Sequence, residues 1–108
     1  MIALIEKKST EVAVLCSRCG VQILEVFGSA ADGKFDAAHS DIYFLVEFSQ
    51  DNADSLFHRY FGLLEGLEQL FDRKVDLVSA TALSNPYFIA TVNRSRQTVY
   101  ASARAQAA

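Results

Sequence analysis

Val26-Phe27-Gly28-Ser29 and Ser40-Asp41-Ile42-Tyr43-Phe44-Leu45-Val46 are the two stretches on which the fold turns. The first ends a short, apolar, β-branched run from Val21 to Phe27, which predicts a strand. The second opens another predicted strand, Asp41 to Phe48. Residues 28–40 are mostly small or polar and predict a loop with room for one helical turn. Working outward, Val12, Leu15, Cys16 and Cys19 follow helical spacing, with Gly20 as the stop. That first helix starts either at a Ser9 cap or near Ile2. A longer helix is predicted from Leu56 to Phe71, capped by Asp54 or Ser55. Its apolar stripe would be Leu56, Tyr60, Leu63, Leu64, Leu67 and Leu70. Lys74 to Ser79 predicts a third strand, and Thr81 to Arg94 a helix broken at Asn85-Pro86. Gln97 to Ala101 predicts an edge strand.

The expected fold is therefore α/β (α+β). A small mixed sheet of about four strands carries helices mainly on one face. Residues 1–101 are expected to form the domain and residues 102–108 a frayed tail.

The 108 residues, 51% hydrophobic and 21% charged, suit one globular domain and argue against disorder. No apolar run approaches the roughly 20 residues a bilayer span needs. Glu6, Lys7 and Lys8 interrupt the N-terminus too early for a secretory signal. A net charge of −3 gives no bulk drive towards DNA or acidic lipid, so any phosphate chemistry must be local. Cys16 and Cys19 form a Cys-x-x-Cys, but no second pair completes a zinc site. They also sit at a helix end, where a redox pair would prefer a helix start. They read as small apolar residues, reduced in a cytoplasmic protein. His39 and His58 have no partners at metal-ligand spacing.

Gly28-Ser29 at a strand end lets a ligand approach the backbone closely. Asp41 at the start of the next strand and Asp76 within the third could converge on a divalent cation. A phosphate-bound Mg²⁺ needs only one or two carboxylates.

This combination resembles the minimal nucleotidyltransferase (MNT-type) domains of the DNA polymerase beta-like superfamily. Their pattern is a strand, Gly-Ser, a loop, Ser-Asp-Ile-Asp-Leu and later Val-Asp-Leu-Val. It matches Gly28-Ser29, Ser40-Asp41-Ile42 and Val75-Asp76-Leu77-Val78, and the likeness covers nearly the whole chain. It implies that Gly28 and Ser29 contact nucleotide phosphates, and that Asp41 and Asp76 are metal-binding, catalytic carboxylates. It implies Mg²⁺ as cofactor, ATP or another NTP as substrate, and transfer of an NMP, AMP foremost, to a hydroxyl. It also implies a partner, either a second copy or a helical, toxin-like protein.

The second Asp of the family's Asp-x-Asp is Tyr43 here, and Asp32 stands where the loop Arg is usual. Strand alternation puts Tyr43 on the face of Asp41. A phenol is neutral at pH 7, a poor Mg²⁺ ligand. Glu47 shares that face but lies about 13 Å beyond Tyr43, too far to substitute. Losing a bridging ligand should cost at least ~10³-fold in rate. Two functions therefore stand side by side: a weakened nucleotidyltransferase, or a noncatalytic antitoxin-like or assembly module.

Overall fold

The computed structural model describes residues 2–33, 41–50 and 55–103. The elements in chain order are α1 (Ala3–Lys7), α2 (Ser9–Arg18), β1 (Val21–Phe27), α3 (Ser29–Asp32), β2 (Ile42–Phe48) and α4 (Leu56–Phe71). There follow β3 (Val75–Ser79), a 3-10 turn (Ala80–Ala82), α5 (Pro86–Ser95) and β4 (Gln97–Ala101). The strand order is β3-β2-β1-β4. β1 pairs antiparallel with both β2 and β4, while β2 and β3 run parallel. A parallel pair needs a crossover, and α4 supplies it.

Alternation along β1, β2 and β3 separates the two faces of the sheet. The inner face presents Leu24, Val26, Ile42, Phe44, Val46, Val75 and Leu77 to Ile5, Val12 and Cys16 of α1 and α2 and to Leu63, Leu67 and Phe71 of α4. The outer face is smaller: Phe27 and Leu45 pack with Val92 of α5. The helices thus lie mainly on one face, as the pattern predicted.

Some details differ from the sequence reading. The N-terminal helix is two, because Lys8 leaves the helical region at φ −102° and ψ 11°. Ser9 is then the first residue of α2 and not its cap. In α4, Leu56 is 59% exposed and does not join the apolar stripe. The first turn instead sends Arg59 inward, 7% exposed. Its guanidinium donates to the carbonyls of Cys19 and Gly20, at 3.0 and 2.6 Å, and to that of Ser49 at 2.6 Å. It also lies 5.0 Å from the Phe48 ring centroid. One planar cation thereby joins the end of α2, the start of β1 and the end of β2. Such a fork suits arginine, with its five rigidly placed donors. α4 stops at Asp72, which takes a left-handed conformation at φ 50°.

Both cysteines are free thiols. Burial pushes the Cys16 thiol up to about 12, with the neighbouring Cys19 adding to the shift. The reactive thiolate is suppressed, which agrees with a packing role. His58 is exposed, as expected, and His39 lies outside the described residues.

Arg59→Met should lower unfolding stability by about 2–4 kcal/mol, because partly buried carbonyls lose a charged donor. Urea denaturation of the two proteins checks this. An unchanged midpoint would show that the three bonds contribute nothing net.

Candidate functional site

The outer face near the end of β1 gathers the residues that the sequence singled out. In the register, Phe27 lies opposite Tyr43, and Tyr43 lies opposite Asp76. The three form one row across β1, β2 and β3. Asp41 immediately precedes β2, two residues from Tyr43, so alternation turns it to the same face. Strand spacing puts the Cα atoms of Asp41 and Asp76 roughly 8 Å apart on a diagonal. Both are half-buried. Neither carboxylate has an ion pair among the described residues. Glu47 is exposed farther along β2, and Asp32 is exposed at the end of α3.

Gly28 turns the chain out of β1 with φ 78° and ψ −150°, a region essentially restricted to glycine. Its carbonyl accepts from the N–H groups of Ala31 and Asp32, at 3.0 and 3.1 Å, which starts α3. Ser29 is the first residue of that helix. The Gly28 N–H is already engaged, donating to Ser95 Oγ at 2.8 Å. Gly28 therefore offers conformation and space at this turn while its N–H is held by α5.

Tyr43 is 39% exposed. Its ring edge would lie 3.7 Å from a Cβ added at Gly28. Its centroid is 5.8 Å from that of Phe27, whose other side meets Phe88 edge-on at 5.9 Å. An aromatic run thus passes from α5 over β1 to β2, beside Gly28. No group of three or more His, Cys, Asp or Glu able to hold a metal exists among the described residues. The donors present fit one divalent cation, shared by Asp41 and Asp76 and completed by phosphate oxygens and water. Tyr43, paired with Asp76 in the register, adds no further carboxylate to this face.

α5 borders this face. Asn85 caps it by accepting from the Tyr87 and Phe88 N–H groups, and Pro86 fills the first position. At its other end Arg96 pairs with Glu25 of β1 through two nitrogens. That bond raises the Arg96 pKa above its usual value. Ser95, Arg96, Glu25 and Phe88 were not singled out from the sequence. Their partners lie 61 to 71 positions away along the chain, and no local pattern announces them.

The sequence profile described as "Nucleotidyltransferase domain" matches residues 12–99, from α2 to β4. The chain belongs to the nucleotidyltransferase domain family. A relative from Methanocaldococcus jannaschii, named "Putative protein adenylyltransferase", is 38% identical over 74 residues, covering 68% of this chain and 72% of that one. The solved structure of a "putative minimal nucleotidyltransferase" is similar at 30% identity and a TM-score of 0.69, over 85% of this chain and 89% of the other. A toxin–antitoxin structure with AMP-PNP shares the fold at 21% identity and a TM-score of 0.63, over 89% and 75%. So does the complex of a tri-AMPylated Shewanella oneidensis HEPN toxin with its MNT antitoxin, at 18% and 0.61, over 95% and 77%. Within this nucleotidyltransferase fold, Tyr43 occupies the central strand of the outer-face row.

Gly28→Ala should destabilise this domain by about 1–3 kcal/mol through backbone strain, since a methyl would meet Tyr43 only at ordinary contact distance. Thermal melts of Gly28→Ala alone and with Tyr43→Ala check it. Recovery of stability in the double variant would point to a clash with the ring and contradict the strain account.

Proposed function

We propose that this chain is a minimal nucleotidyltransferase with an attenuated site, working as the antitoxin-like partner of a helical protein. Asp41 and Asp76 would hold one Mg²⁺, weakly, together with the phosphates of ATP or another NTP. The ion, when bound, neutralises phosphate charge. Gly28 and Ser29 form the turn against which the phosphates lie. In the transfer, an acceptor hydroxyl attacks the α-phosphorus, the bond to the bridging oxygen breaks, and pyrophosphate leaves. Asp76 accepts the hydroxyl proton. AMP is the favoured group and a protein hydroxyl the favoured acceptor, in keeping with the relative named as a protein adenylyltransferase and the tri-AMPylated toxin in the similar complex.

The observation that carries the reading is the register position of Tyr43 between Phe27 and Asp76. A phenol there supplies no negative charge, and Asp32 supplies one where a cation would serve phosphate better. Transfer is accordingly slow, and partner binding is the larger part of the role. A surface of α4 supports a partner: Leu56, Phe57 and Phe61 are 59%, 65% and 44% exposed. With Phe48 and Tyr60 they line a groove of about 280 Å³. No helix among the described residues is long and apolar enough to cross a membrane.

Calorimetry with Mg-ATP tests the reading. Tyr43→Asp should bind Mg-ATP at least about tenfold more tightly than the unmodified protein, or roughly 1.4 kcal/mol. Asp41→Ala in that background should remove the gain. Equal affinity for the unmodified and Tyr43→Asp proteins would contradict the assignment of Tyr43 as the cause of attenuation.

A further inference from the structure

We infer that Ser95 is a positioning residue for the phosphate turn, acting through the Gly28 N–H from the far end of α5. The inference rests on the proposal that the Gly28-Ser29 turn meets nucleotide phosphates.

The turn is conformationally expensive. Gly28 sits at φ 78° and ψ −150°, and such backbone persists only where its surroundings hold it. Its carbonyl is held from the C-terminal side by two N–H groups of α3. That helix has only four residues and cannot stabilise itself. The other half of the turn, the Gly28 N–H, is held among the described residues by Ser95 Oγ at 2.8 Å. Ser95 is half-buried and closes α5, 67 positions away in the chain.

Its location is itself fixed. The next residue, Arg96, reaches two oxygens of Glu25 on β1 and also donates to Asn93 Oδ1 at 2.8 Å. One face of α5 buries Val92 against Phe27 and Leu45, and Phe88 meets Phe27 edge-on. Phe27 immediately precedes Gly28. The helix therefore grips the last residues of β1 at three heights: Phe88 and Val92 on Phe27, Ser95 on Gly28, and Arg96 on Glu25. An exposed ion pair contributes little by itself to stability. Its value here is geometric, because it sets the register of α5 so that Ser95 Oγ falls on the Gly28 amide.

A hydroxyl has two acceptor lone pairs and one donor proton, so Ser95 can hold the amide without being used up by it. Alanine would free the amide and leave the turn to wander between conformations. The phosphates would then meet a less ordered surface, while a base or ribose seated elsewhere would be unaffected.

The test uses the full chain carrying Tyr43→Asp, with Ser95→Ala or Ser95→Thr added. Mg-ATP and adenosine are the calorimetric probes, and amide hydrogen exchange at Gly28 is followed by NMR. Ser95→Ala should weaken Mg-ATP binding by about fivefold, the worth of one hydrogen bond, and leave adenosine binding unchanged. Exchange at Gly28 should accelerate, and Ser95→Thr should restore both readouts. If Ser95→Ala does not fold, Ser95→Cys, whose sulfur is a weak acceptor, gives the same comparison. Equal losses for Mg-ATP and adenosine, or no loss for either, would overturn the inference alone. A Tyr43→Asp protein that binds no Mg-ATP would overturn the functional reading, and this inference with it.

Discussion

The register of β2 between β1 and β3 is the constraint on which the rest of the structure depends. Ile42, Phe44 and Val46 must face α1, α2 and α4, because only that side has enough apolar surface to cover them. A slip by one residue would carry all three to the opposite face and bring Tyr43 and Glu47 inside. Once the inner face is set, the outer one follows without freedom. Phe27, Tyr43 and Asp76 fall into one row, and Asp41 stands at its edge. Core packing thus places the site, and the chemistry of the site depends on which residue types the row receives.

In this chain the row receives a phenol at its centre. Asp41 and Asp76, neither in an ion pair among the described residues, repel each other and any approaching phosphate. A cation between them would relieve both effects, whereas the ring of Tyr43 leans the other way, towards Phe27 and Gly28, and brings no charge. The aromatic run from Phe88 through Phe27 to Tyr43 stabilises the outer face where α5 alone would cover it thinly. Position 43 thus serves packing on this face.

Much of this was legible in the chain. The apolar run marked β2, strand alternation gave the faces of Asp41 and Tyr43, and Leu56–Phe71 and Gln97–Ala101 emerged with the boundaries predicted. Gly28-Ser29, Asp41 and Asp76 could be assembled because each lies at a strand end or on a strand whose face is countable. What was not legible depends on distant partners. Arg59 lies among apolar helix residues, and nothing nearby shows that the carbonyls of Cys19 and Gly20, between α2 and β1, and of Ser49, just after β2, converge on it. Leu56 has the right spacing for the stripe and is nonetheless left at the surface. Ser95 looks like an ordinary helix-end serine until the sheet brings Gly28 beside it. The break at Lys8 likewise has no glycine or proline to signal it.

The central claim is that Tyr43 reduces a two-cation site to one that holds a single cation at most. Electron paramagnetic resonance of Mn²⁺ titrated into the protein with AMP-PNP measures this directly. The account predicts no more than one Mn²⁺ per protein and no spin-coupled pair, with a second, coupled ion appearing in Tyr43→Asp. A coupled pair of Mn²⁺ ions in the unmodified protein would contradict it.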